Sequence, residues 1–264
     1  MRNVALICAR GGSKRIPRKN IAMCNGRKLI EWSLMQKENC KYIDDIYVST
    51  EDDEIKEVAK SFGAIVIDRP PEFASDVASD GSVLNHAFQF INLHDDVDYL
   101  FRLFCTSPCV RGFELDEAME LLLNNSWANQ VGSVNRVVKS SDLNHYQVLL
   151  PSGELVQLFQ GNQGFSPYTT NNLVPLYETN GAFGIMRFKD FIYSAEEIGN
   201  YEYGDDVNQE KIFTDRFQRK IAWNKKIRMD KILGYVIDKY SAIDINYPED
   251  LIIAESILKY REKK

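Results

Sequence analysis

The chain has 264 residues, 44% of them apolar, and sets 32 basic against 38 acidic side chains for a net charge of −6. That length and composition are enough for a full buried core and argue against disorder, and the acidic balance excludes a general nucleic-acid-binding surface. No apolar run approaches the roughly 20 residues of a membrane span, and no signal-peptide pattern opens the chain. The five cysteines (8, 24, 40, 105 and 109) contain no CxxC pair, so we expect a cytoplasmic protein with reduced, mostly buried thiols and no membrane partner.

Val4 to Cys8 is a short apolar run that predicts a buried strand. It stops at a loop, Ala9 to Asn20, that holds Gly11, Gly12, Ser13 and five cations: Arg10, Lys14, Arg15, Arg18 and Lys19. Glycine lets backbone close on a ligand, and lysine or arginine neutralises phosphate charge. Such a loop directly after the first strand of an α/β sheet suits a nucleoside triphosphate. The competing reading, a solvated basic loop, applies above all to Lys14, Arg15 and Arg18. The spacing is neither a Walker A sequence nor a GxGxxG fingerprint, which disfavours a dinucleotide-dependent oxidoreductase.

Lys28 to Glu38 carries apolar residues compatible with a helix, and Ile46 to Thr50 is a strand ending in hydroxyls. Glu51 to Glu54 then loads acids onto the first turn of a helix expected from Asp53 to Phe62. Strands at Ala64 to Ile67 and Tyr99 to Phe104 alternate with helices at Asp80 to Asn92 and Phe113 to Asn124. This alternation predicts an α/β fold, a Rossmann-like and mostly parallel sheet with helices on both faces.

The second half reads differently. Val131 to Val138 is strand-like, and Lys139 to Pro175 is rich in Asn, Ser, Gln, Gly and Pro around a short alternating strand at Leu155 to Phe159. Residues 1–264 form one domain on this reading, with a β-rich excursion from near 139 to 178. Such an arm is suited to pairing with a second copy of the chain, so a homodimer is expected. Ala182 to Met186 and Gly234 to Asp238 return as strands, and Glu249 to Lys259 closes as a helix. His86, His94 and His145 lie far apart and read as structural or exposed; Asp96 and Asp98 read as a solvated edge.

Several segments in order resemble the acylneuraminate cytidylyltransferase family, the CMP-sialic acid synthetases and their relatives. They are Ala9 to Lys14 with Pro17 to Asn20, Val48 to Ile55, Arg69 to Asp76, Thr106-Ser107-Pro108, Asn180-Gly181-Ala182, and Ile243 to Asn246 with Glu249-Asp250. The resemblance implies the nucleotide-diphospho-sugar transferase type of fold with a dimerisation arm. It implies an enzyme in which a hydroxyl of a small acidic sugar attacks the α-phosphate of CTP and releases pyrophosphate. Arg10 and Lys19 would bind the triphosphate within the Gly11-Gly12-Ser13 loop with Lys14 assisting, and Lys19 would stabilise the leaving pyrophosphate. Asn20, Arg69, the backbone near Ala78 and the neighbouring Asp80 would lie against the cytidine. Phe104 and Asn180 fall on the acceptor side, and Asp244 with Asn246 would hold a magnesium ion (Mg2+).

Four departures from that family's pattern stand out, one of them a pair of positions. Asn246 stands where a second metal-binding carboxylate is usual, Phe104 where a glutamine is usual, Thr169 and Thr170 where paired arginines are usual, and Asp80 where a serine is usual. They fall mostly on the acceptor and metal side. They leave open a different acceptor, including another sugar or a sugar phosphate, or a nucleotide-binding paralogue with weak or no catalysis. Residue by residue, ordinary roles compete: Arg69 could pair with Glu72 or Asp76, Asp80 could cap a helix, and Asp244 could stabilise a turn.

Overall fold

A computed structural model describes residues 1–74, 80–136, 177–192 and 231–263, together with short strands at 147–149, 155–157, 212–214 and 220–222. The chain opens with β1 (Asn3–Cys8), whose residues from Val4 to Ile7 are fully buried. After the basic loop comes a hairpin of β2 (Met23–Cys24) and β3 (Arg27–Lys28). Its turn, Asn25-Gly26, has φ values of 49° and 77°. Asn and Gly tolerate that left-handed pair, which matches the twist of the flanking strands.

Next come α1 (Leu29–Leu34) and α2 (Gln36–Asn39), where the sequence predicts one helix; the two meet at Met35. Then follow β4 (Asp45–Thr50), α3 (Asp53–Ser61), β5 (Ile65–Asp68), α4 (Asp80–His94), β6 (Tyr99–Leu103), α5 (Gly112–Leu123) and β7 (Gln130–Arg136). The chain continues through β8 (Gln147–Leu149), β9 (Leu155–Gln157), β10 (Tyr177–Arg187), β11 (Ile212–Thr214), β12 (Lys220–Ala222), β13 (Ile232–Val236) and α6 (Pro248–Glu262).

Seven strands form one sheet in the order β5-β4-β1-β6-β10-β7-β13. All neighbouring pairs are parallel except those made by β10, which runs antiparallel to β6 and β7. Alternation along the strands sends side chains to two cores. Ala5, Ile7, Val48, Phe101, Leu103, Val131 and Ile185 pack with residues of α1, α3, α5 and α6. Val4, Leu6, Tyr47, Ile67 and Leu100 pack on the other face with Ala87, Phe88 and Ile91 of α4. This is the expected mostly parallel sheet with helices on both faces.

The excursion expected from 139 to 178 contains β8 and β9, which pair antiparallel from Gln147–Gln157 to Leu149–Leu155. The strand expected from Leu155 is therefore present over Leu155–Gln157. Thr169, Thr170 and Ala78 lie outside the described residues, as does His145.

One close approach fixes how α5 seats. A Cβ on Gly112 would overlap the backbone carbonyl of Asn39 at the end of α2, so only glycine lets the two helices meet there. Gly112→Ala is expected to lower the unfolding free energy by about 1–3 kcal/mol, read as an earlier urea midpoint at unchanged slope.

Candidate active site

The order of the strands explains where a site can form. From β1 the chain steps outward through β4 to β5, then returns to the opposite side of β1 with β6. Loops leaving β1 and β6 diverge at that reversal, and a crevice opens beyond the carboxyl ends of the strands. A cavity of about 620 Å³ lies there. It is lined by Arg10, Ser13, Lys14, Lys19, Asn20, Arg69 and Asp80, all singled out from the sequence, and also by Cys8, Arg15, Ile16, Phe73 and Val83.

The basic loop is held from below by the acids that follow β4. The Gly11 amide donates to Glu51 Oε1 at 2.7 Å. Asp52 Oδ1 accepts from the Ile55 amide at 3.0 Å, capping α3, and from Arg18 at 3.0 Å. Arg18 adopts φ 51° and also reaches Glu54 at 3.1 Å, so it ties the far end of the loop down. Asn20 is buried, and its Nδ2 donates to the Arg10 carbonyl at 2.9 Å, closing the loop on itself. A Cβ on Gly11 would overlap the Asp52 carboxylate, whereas Gly12 has open space around it.

Lys19 Nζ donates to the Ile245 carbonyl at 2.8 Å. Burial lowers the Lys19 pKa, opposed by the Asp244 carboxylate and assisted by Arg15 and Arg10. A partly desolvated ammonium among other cations favours an added anion strongly, because its water has already been removed. The same contacts bring the first loop and the segment before α6 together, as does the Arg15 guanidinium 5.4 Å from the Tyr247 ring centre. Arg15, which the sequence reads equally as a solvated charge, therefore belongs to the cavity wall.

Arg69 is buried. Its side chain donates to Ser49 Oγ at 3.2 Å and to the Ser49 carbonyl at 2.6 Å, and stands 3.9 Å from Glu51. The His86 ring lies tilted against Phe73 with centres 5.3 Å apart, and burial together with Arg69 lowers the histidine pKa. Burial likewise pushes the Cys8 thiol up to about 11, so at neutral pH it is an uncharged wall group. Asp80 is the first residue of α4 and pairs with Arg102, whose guanidinium lies over the Phe104 ring.

Asn180 falls elsewhere. It sits beside a register shift between β7 and β10, where Oδ1 accepts from Ser133 Oγ and the Ala182 amide and Nδ2 donates to Asn135. Gly181, at φ 66°, completes the turn. Asp98, expected as a solvated edge, instead accepts from the Arg2 amide at 2.7 Å, while Asp96 is exposed and pairs with Lys189.

Asp244 is exposed and accepts from Asn246 Nδ2 at 2.6 Å. Asp250 is engaged by the amides of Asn246 and Tyr247 at the start of α6. Among the described residues no three His, Cys, Asp or Glu side chains come together as a metal cluster. One exposed carboxylate beside an amide oxygen, reachable by an amide flip, does not make a closed cage. It fits a magnesium ion that takes its other ligands from phosphates and water.

The sequence model of a protein family described as cytidylyltransferase matches residues 4–232. The chain belongs to the cytidylyltransferase family. It is 40% identical over 132 residues to an N-acylneuraminate cytidylyltransferase of Oncorhynchus mykiss, covering 50% of this chain and 30% of that protein. It is 35% identical over 127 residues to a pseudaminic acid cytidylyltransferase of Campylobacter jejuni, covering 47% of this chain and 55% of that one. An Escherichia coli N-acylneuraminate cytidylyltransferase aligns over 261 residues at 24% identity, covering 99% of this chain and 53% of the relative. The matches thus span from about a third to about half of these relatives' lengths.

The fold of this chain is similar to that of a CMP:2-keto-3-deoxy-manno-octonic acid synthetase solved with CTP. The TM-score is 0.59 at 12% identity, covering 99% of this chain and 100% of the other. A 4-diphosphocytidyl-2C-methyl-D-erythritol synthase of Anaerococcus prevotii gives 0.58 at 17%, with 98% of each chain covered. The mostly parallel sheet with helices on both faces is thus a fold shared with these two proteins. All five cysteines are free, and no helix among the described residues is long and apolar enough to cross a membrane.

The two loop glycines should separate in a stability assay. Gly11→Ala is expected to destabilise by about 1–3 kcal/mol by displacing Asp52 from its cap, whereas Gly12→Ala is expected to stay within about 0.5 kcal/mol of wild type. Chemical denaturation of both variants checks this.

Proposed function

We propose that this chain transfers the cytidylyl group of CTP to a hydroxyl of a nonulosonic acid of the sialic or pseudaminic type, giving the CMP-sugar and pyrophosphate. The observation that carries this reading is the cavity at the strand-order reversal, walled by Arg10, Lys14, Arg15, Lys19 and Arg69 in a chain of net charge −6. The named relatives supply the acceptor class: those from Oncorhynchus mykiss and Escherichia coli are N-acylneuraminate enzymes, and the one from Campylobacter jejuni is a pseudaminic acid enzyme.

In this reading Arg10, Lys14 and Lys19 neutralise the triphosphate over the Gly11-Gly12-Ser13 loop. Asn20, Arg69 and the backbone near Ala78 position the cytidine. The acceptor hydroxyl oxygen bonds to the α-phosphorus while the bond from that phosphorus to the bridging oxygen breaks. Pyrophosphate leaves with the electron pair, and the hydroxyl proton passes to solvent. The demands of such a displacement are alignment and charge neutralisation, with no covalent nucleophile required. Lys19 faces the departing pyrophosphate with an ammonium already stripped of part of its water. Asp244, with Asn246 beside it, would hold a magnesium ion, which supplies further neutralisation of phosphate charge when bound. Phe104, beside Arg102, would stand on the acceptor side, whereas the Asn180 amide is engaged within the β7–β10 register shift. The reading includes a homodimer through the excursion near 139 to 178 and a cytoplasmic location, supported by the composition of that segment and by the free thiols.

A second reading, a nucleotide-binding paralogue with weak catalysis, draws on the Asn246 amide that engages Asp244 in place of a second carboxylate. Pyrophosphate release separates the two. With CTP and magnesium, sialic, legionaminic or pseudaminic acid is expected to give turnover, and omission of magnesium to suppress it. CTP binding with no release across the panel would favour the paralogue.

Lys19 offers a sharper contrast. A lysine whose folded pKa lies below its ordinary value holds its proton less tightly in the folded state than in the unfolded one. At neutral pH its charge therefore opposes folding, and that penalty fades as pH rises through the lowered folded pKa towards the unfolded one. Lys19→Met removes the charge along with the bond to Ile245. It is expected to hold stability within about 1 kcal/mol while slowing turnover by about two to three orders of magnitude. Parallel thermal unfolding and steady-state kinetics check both halves.

A further inference from the structure

Arg102 lies on β6, in register with Leu6 of β1 and Gly184 of β10. Its neighbours Phe101 and Leu103 point into one core, so Arg102 emerges on the opposite face, the one covered by α4. There its guanidinium carbon stands 4.7 Å from the Phe104 ring centre, and its Nη2 pairs with Asp80, a residue of the cavity wall. Asp80 lines the cavity and Arg102 is bound to it, which places the pair at the rim.

The two partners are unequally placed. The Arg102 side chain is 23% exposed and the Asp80 side chain 74%. The cation is therefore fixed, by its strand beneath and an aromatic face beside it, while the carboxylate sits in water at the first turn of α4. An exposed carboxylate returns to full hydration with little loss, since such pairs contribute about 1 kcal/mol or less. A partly buried arginine loses far more if it is left unpaired. Exchange of one carboxylate for another around Arg102 satisfies both conditions and keeps one carboxylate paired with the guanidinium. A phosphate does not, because its second negative charge would meet Asp80. The planar fork of a guanidinium matches a carboxylate through two parallel bonds.

We propose that Arg102 is the specificity-determining anchor for the carboxylate of the acceptor acid, and that Asp80 occupies that place until the acceptor enters. This rests on the acidic-acceptor reading above. It assigns a joint purpose to Asp80 and Phe104, two positions where the chain departs from the family pattern it resembles. One holds the anchor's place and the other stacks beside it.

The test compares N-acetylneuraminic acid and pseudaminic acid with their methyl esters, which keep the sugar and lose the charge. Wild type is expected to prefer the acid, and Arg102→Met to lose about 10- to 100-fold in kcat/KM for the acid, through KM, with the ester little changed. Arg102→Lys keeps the charge without the fork, so it should fall between and serves if the methionine variant unfolds. Asp80→Asn removes the competing carboxylate and is expected to lower the acid's KM. CTP affinity of Arg102→Met, by calorimetry, should stay within about threefold of wild type.

An unchanged preference for acid over ester in both Arg102 variants would overturn the proposal. So would a fall in CTP affinity matching the fall for the acid, which would assign Arg102 to the nucleotide phosphates. Calorimetry of each acid with CTP-loaded protein reads the same contrast without turnover. Wild type that binds an acid but releases no pyrophosphate would therefore sink the activity alone, while the anchor would still be judged on binding. Wild type that binds neither acid would overturn the anchor and the acceptor class together.

Discussion

Everything at the nucleotide end depends on an acidic turn holding a basic loop. Glu51 and Asp52 follow β4 directly, and β4 lies beside β1 in the sheet, so parallel pairing delivers both acids beneath the loop that leaves β1. Glu51 takes the Gly11 amide, Asp52 takes Arg18 and caps α3, and Glu51 also stands near Arg69. Without these acids, Arg10, Arg15, Arg18 and Lys19 would repel one another across an open crevice. With them the loop is shaped before any ligand arrives, and little ordering remains to oppose binding.

The rim at Asp80 is built on the same plan with the charges reversed in role. There a single cation, Arg102, is fixed by strand and ring, and the exposed Asp80 answers it. The nucleotide end presents a cluster of cations to a polyanion; the Arg102 end presents one cation to one negative charge. That asymmetry matches the two reactants of the proposed transfer, a triphosphate and a monocarboxylic sugar.

Much of the fold was legible in the sequence because its signals were local. The run Val4 to Cys8, the acids before Asp53, and the alternation through Phe113 to Asn124 each name an element within a residue or two of where it lies. Cavity residues that precede helices or follow strands, such as Arg10, Lys19, Asn20 and Arg69, were legible for the same reason. What escaped was set by contacts between distant segments. Glu51 as the holder of Gly11, Arg15 as a wall residue beside Tyr247, and Arg102 as a partner of Asp80 join positions 22 to 232 residues apart. Asn180 shows the opposite case: a motif residue whose amide is engaged within a register shift that no local pattern announces.

The central claim is that the loop from Ala9 to Asn20 grips a triphosphate, and the direct measurement is a calorimetric titration with CTP, CDP and CMP in magnesium-containing buffer. The account predicts one CTP per chain and an affinity that falls by about tenfold or more in total as the two terminal phosphates are removed. CMP binding as tightly as CTP, or no heat from CTP at all, would contradict it.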